Sequence, residues 1–84
     1  MSKTEKSSEI SDCVRKNLEK YFRDLDGAKP NPIYDMVLHA VEKPMIEIVL
    51  GEAGGNQSIA ADILGINRNT LRKKMQAHKI KLNA

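Results

Sequence analysis

Ten polar or cationic side chains crowd two short stretches near the C-terminal end of this sequence. Asn56, Gln57 and Ser58 form the first; Asn67, Arg68, Asn69, Thr70, Arg72, Lys73 and Lys74 form the second. The chemistry available to them is hydrogen bonding and charge neutralisation. An arginine can give two parallel hydrogen bonds to the O6 and N7 acceptors of guanine, and Arg68 has the reach for it. Donors at a helix N-terminus welcome phosphate, which suits Asn56 and Ser58. Bond-making chemistry has no counterpart here. The sequence contains no Cys/His spacing for a metal, no nucleophile with a positioned base and no Gly-rich phosphate loop, and its acids are scattered. An enzyme is not expected, nor a cofactor or a small-molecule substrate. His39 reads as a packed or surface residue, and His78 as the end of the last helix.

The elements that must hold these groups are legible in GGNQSIAADILGINRNTLRKK, from Gly54 to Lys74. Ala60, Ala61 and Leu64 recur at helical spacing in its first half, Leu71 and Met75 in its second, and Ile66 lies between. Gly65 stands at the break, where positive φ is expected. Ala61 is small where a second helix must come close. Asn56 and Asn67 precede the two helices as caps. The pattern predicts a helix, a three-residue turn and a second helix whose first turn (Asn67, Arg68, Asn69, Thr70) meets base edges: a helix-turn-helix for a DNA major groove.

The competing reading is a helical hairpin with a solvated basic face, and charge asymmetry decides against it. Residues 56–84 carry six Lys or Arg against one acid, Asp62, whereas residues 1–55 carry eight bases against ten acids. The net charge of +3 thus conceals a C-terminal end at +5 and a remainder at −2. A basic end is the electrostatic footprint of nucleic-acid binding.

At 84 residues, with Tyr21, Phe22 and Tyr34 the sole aromatics, there is one small domain and little core. Oligomerisation is the usual remedy. Cys13 is the single cysteine, so no internal disulfide is possible, and a half-buried apolar role is expected. No apolar run approaches a membrane span and no signal-peptide core opens the chain. A cytoplasmic protein, without membrane contact, is expected.

Residues 1–8 are polar and aperiodic and read as disordered, with Ser7 or Ser8 available as a cap. Ile10, Val14, Leu18, Tyr21, Phe22 and Leu25 predict a first helix from about Glu9 to Asp26, stopped by Asp26-Gly27. Asn31-Pro32 reads as a start signal, with Asn as cap and Pro as first helical residue. The second helix, to about Glu52, is apolar nearly all round, from Ile33 to Leu50, and so should be buried nearly all round. A second copy of the chain is the economical cover. Pro44 predicts a kink inside this helix, in preference to two helices meeting there. The expected organisation is a disordered segment at 1–8, a helical dimerisation region at 9–54 and a DNA-binding region at 55–84.

These residues also resemble a known family. From about Glu9 to Lys74 the chain is similar to Fis, the factor for inversion stimulation, a family of bacterial nucleoid-associated DNA-bending proteins. GNQ at Gly55–Gln57 and GINRNTLRKK at Gly65–Lys74 carry the resemblance most strongly. IYDMVL at Ile33–Leu38 and VEKP at Val41–Pro44, with its in-helix proline, extend it into the dimer part. The resemblance implies an all-α, four-helix subunit with a C-terminal helix-turn-helix, intertwined as a homodimer through its first two helices. It implies recognition helices closer together than successive major grooves of straight DNA, so that weakly sequence-specific binding bends the duplex. Its implied setting is the nucleoid, in transcription regulation, with RNA polymerase as a further partner.

Carried over by motif, Asn67 and Arg68 correspond to base-edge contacts. Asn56, Gln57, Ser58, Thr70, Arg72, Lys73 and Lys74 correspond to DNA-backbone contacts. The chain departs from the family's best-known form at Ile59, Gln76 and Ala77, where cations are replaced. Its short polar start is expected to provide no β-hairpin arm for a DNA invertase, so bending without stimulation of inversion is the expectation. The same helix-turn-helix also resembles the C-terminal domain of enhancer-binding activators, of which the chain would be a fragment. The initiator Met and short start favour a complete small protein. A helical adaptor for an acidic partner is the alternative from another functional class.

Overall fold

The computed structural model describes residues 3–81, with side chains described for 8–81. Four α-helices follow one another: α1 (Lys3–Leu25), α2 (Ile33–Glu52), α3 (Gln57–Leu64) and α4 (Arg68–Ala77). The all-α class expected from the sequence is met, and the described residues contain no strand. Two compact units divide the chain, one ending at Asn31 and the other beginning at Pro32.

In the first unit, α1 starts at Lys3 and not near Glu9, so residues 3–8, expected to be disordered, are helical; Met1 and Ser2 lie outside the described residues. Lys3 to Ser8 hold neither Gly nor Pro, and a helix nucleated by the apolar stripe extends through such residues at little cost. Ser7 and Ser8 therefore lie within the helix and do not cap it. The far end behaves as expected: Asp26 and Gly27 take left-handed φ values of 49° and 85° and stop the helix. Val14, Leu18, Tyr21 and Leu25 are half-buried along one stripe, while Cys13, one position off it, is exposed and not half-buried as expected. Asn31 does not cap α2. Its backbone N–H donates to the Tyr21 hydroxyl at 3.0 Å, and Pro32 itself occupies the N-cap, its carbonyl accepting the Met36 N–H at 3.1 Å.

In the second unit, α2 is a single helix through Pro44. Pro44 has no N–H for the carbonyl of Ala40, and the exposure of both residues lets water take its place. The core of this unit joins three helices. Ile46 and Leu50 of α2, Ala60 and Ala61 of α3, and Leu71 and Met75 of α4 are buried, with Val49, Ala53, Leu64, Ile66 and Ile80 packed around them. Ala60 and Leu71 are completely covered. The helix-turn-helix stripes are those read from the sequence; the part taken by the C-terminal half of α2 is not. Burial of Ile46 and Leu50 anchors the turn Ala53–Gly55 and thereby the start of α3.

Candidate nucleic-acid interface

Each helix of the helix-turn-helix begins on an asparagine. Asn56 Oδ1 accepts the N–H of Ile59 at 3.0 Å, and Asn67 Oδ1 accepts the N–H of Asn69 at 2.7 Å. Both caps are engaged through oxygen, so the Nδ2 donors are what these side chains have left to offer. Between the helices Gly65 takes φ 76° and ψ 28°, returning its N–H to the Ala61 carbonyl at 2.8 Å, while Ile66 donates to the same oxygen at 3.0 Å. That left-handed residue turns α4 across α3. A Cβ on Gly65 would meet nothing within 4 Å, so Gly65→Ala strains only the backbone. It should cost about 1–2 kcal/mol. Thermal unfolding tests this value, and an unchanged midpoint would show that the turn relaxes.

Along α4, Leu71 and Met75 face the core, which turns Arg68, Asn69, Thr70, Arg72 and Lys73 outward, all exposed. Asn56, Ser58 and Asn67 are exposed as well, and Gln57 is half-buried. The structure thus places eight of the nine anticipated contact residues on open or partly open surface around two helix N-termini, where unpaired backbone N–H groups favour anions.

Lys74 differs. Its ammonium lies 2.7 Å from Oε2 of Glu42 on α2, and the other oxygen of that carboxylate, Oε1, meets His78 Nε2 at 2.9 Å. Glu42 and His78 are almost wholly covered, with side chains 14% and 4% exposed. His78 ends α4, as expected, but its burial against Glu42 was not anticipated, and neither was the His39 ring lying 4.4 Å from its own. One carboxylate therefore ties the last turn of the recognition helix to the long helix behind it. Lys74, expected at the DNA backbone, is half-buried in this cluster and its charge is already matched.

The two helix starts are capped and the second is cationic, an arrangement suited to an anionic partner, and the sequence relationships agree. The sequence model for bacterial regulatory proteins of the Fis family matches residues 37–78. This chain belongs to the Fis family. Within it, the chain is 59% identical over 69 residues to a Fis-like DNA-binding protein of Ralstonia nicotianae, covering 82% of this chain and 90% of the relative. It is 59% identical over 70 residues to Fis-like DNA-binding proteins of Neisseria meningitidis serogroups A and B, covering 83% of this chain and 89% of each relative.

The family match spans α2 from Val37 as well as the helix-turn-helix, and so includes Glu42 with both its partners. The Lys74 ammonium, and after it the His78 ring nitrogen, hold the Glu42 carboxyl below the usual carboxylate range. A depressed native value stabilises the fold above the ordinary carboxylate pKa of ~4.3, and the gain is lost as pH falls through the lower native value. Glu42→Gln should therefore cost of order 1 kcal/mol at neutral pH, between an exposed and a buried pair. The two proteins should converge once pH has fallen through that lower native value. Melting temperatures across that range test it; a gap persisting in acid would assign the loss to packing.

Among the described residues no group of acids, cysteines and histidines is arranged to hold a metal ion. No described helix is long and apolar enough to cross a membrane.

Proposed function

We propose that this protein binds double-stranded DNA as a homodimer, one recognition helix per subunit, and bends the duplex in transcription regulation and nucleoid organisation. The observation carrying this reading is the outward row Arg68, Asn69, Thr70, Arg72 and Lys73 on a capped helix whose other side is buried. Arg68 and Asn67 are assigned to base edges. Asn56, Gln57, Ser58, Thr70, Arg72 and Lys73 are assigned to phosphates, with Lys74 available only once Glu42 releases it. Sequence preference is weak, since few side chains reach the bases.

Dimerisation is supported by apolar surface left uncovered in each unit. On α2, Tyr34, Leu38, Val41, Met45 and Ile48 are exposed, Ile48 by 65%. On α1, Ile10 and Phe22 are exposed by 63% and 50% beside the half-buried Val14 and Leu18. Residues 9–54 are assigned to this dimer and 55–84 to DNA. The relatives' description as DNA-binding proteins supports the same function.

The test combines sedimentation with duplex binding over a salt series. A dimer at micromolar concentration is expected, with log affinity falling linearly and steeply against log salt. Bending is read from end-to-end energy transfer on the bound duplex. A folded monomer of 9.4 kDa would sink the dimer reading. Salt-independent or absent duplex binding would favour the adaptor for an acidic partner.

A further inference from the structure

A second basic surface lies away from the row on α4. Lys43 and Glu47 of α2, the turn residues Gly54 and Gly55, and Lys79 and Lys81 beyond α4 line one open groove. Three lysines and one glutamate thus line the groove, and all three lysines are exposed. Among the described residues, none of the three takes part in an ion pair.

The two C-terminal lysines are held in place by the way α4 ends. Ile80 returns its N–H to the Met75 carbonyl at 2.8 Å, and Lys79 donates to Gln76 at 3.1 Å. The Ile80 side chain packs on the core. Lys79 and Lys81 flank that anchored residue. Lys79 also takes a left-handed φ of 56° at a position where glycine would carry no strain. A cation thus occupies the costlier choice of residue.

We propose that Lys43, Lys79 and Lys81 form a second phosphate-binding surface for DNA flanking the stretch contacted by Arg68. The proposal rests on the DNA-binding reading and extends it. Gly55 lies in the groove wall and immediately precedes Asn56, so the surface is continuous with the N-terminus of α3. It sits at the opposite end of α4 from Arg68. Ten residues at 1.5 Å each separate the two ends by about 15 Å. Phosphates reached from the groove are therefore not those beside the bases assigned to Arg68.

The test compares wild type with the triple variant Lys43→Ala, Lys79→Gly, Lys81→Ala on two duplexes. One is trimmed to the preferred site and the other is extended by a helical turn on each side. Lys79→Gly relieves the left-handed strain, so the variant's melting temperature should not fall, and a folding defect cannot imitate the effect. Wild type should show a steeper salt slope on the extended duplex. The variant should lose that increment, by roughly 3 per subunit at ~0.9 per phosphate, while matching wild type on the trimmed duplex. Equal wild-type slopes on both duplexes, or an equal loss by the variant on both, would overturn the second surface and leave the α4 interface standing. Failure of wild type to bind either duplex would remove the DNA-binding reading and this proposal with it.

Discussion

Arg68→Ala should weaken binding to a preferred duplex by about 1–3 kcal/mol per half-site and flatten the preference at one base position. Arg68 is the first residue of α4, exposed, and in no ion pair among the described residues. Its guanidinium is thus available at the helix end that the proposed complex places in a groove. With two half-sites in the proposed dimer, the loss reaches about 2–6 kcal/mol, roughly 30-fold to more than 10,000-fold at 1.4 kcal/mol per tenfold. Binding to unrelated sequence should change much less. Lys73→Ala provides the contrast. Lys73 is exposed and outside the described ion pairs, so its loss should weaken all sequences alike and lower the salt slope by ~1 per subunit. Lys74 would be a poor choice for that comparison, since removing it also strips Glu42 of a partner. Affinities for a panel of single-base variants, measured at two salt concentrations, distinguish the roles. If both substitutions produced the same sequence-independent loss, the division into base reader and phosphate clamp would be wrong.

Leu71→Ala should cost about 2–5 kcal/mol, the range for truncating a fully buried leucine where the surroundings collapse only in part. Leu71 is completely covered and, with Ile46, is one of the two largest fully buried side chains. The buried apolar set it belongs to has six members, two of them alanines that have no side chain to swing into a void. Small domains have only about 5–15 kcal/mol of stability in all. At ~4–8 °C per kcal/mol for a chain of this size, the melting temperature should drop by more than about 8 °C, with the recognition helix losing its seat. Ile63→Ala on α3 is the control: with 55% of the residue exposed, it should shift the midpoint little. A fall for Leu71→Ala no larger than that of the control would show the core to be adaptable.

Much of the helix-turn-helix was legible because its signals act within a few residues. Gly65 relieves a left-handed turn, Asn56 and Asn67 close N–H groups two or three residues ahead, and the alternation of Leu71 and Met75 with Arg68, Arg72 and Lys73 sorts one short helix into two faces. Boundaries were less secure. Asn31 looked like a cap, but the Tyr21 hydroxyl ten residues earlier takes its N–H, and Pro32 moved into the cap position. Extension of α1 to Lys3 shows polar residues following a helix nucleated by their apolar neighbours.

What the sequence by itself determined was the class of fold, the family, the two helix starts and the exposed face of α4, since each follows from local backbone preference, from a motif or from a period along one helix. The tertiary structure alone decided which neighbours those residues acquire. Glu42 meets Lys74 and His78 across 32 and 36 residues because α2 passes behind α4, a placement set by Ile46 and Leu50 packing over Ala60 and Ala61. That crossing withdraws Lys74 from the exposed cations and brings Lys43 to one groove with Lys79 and Lys81. Charge is additive along a sequence, but its availability depends on which opposite charge the fold brings within reach.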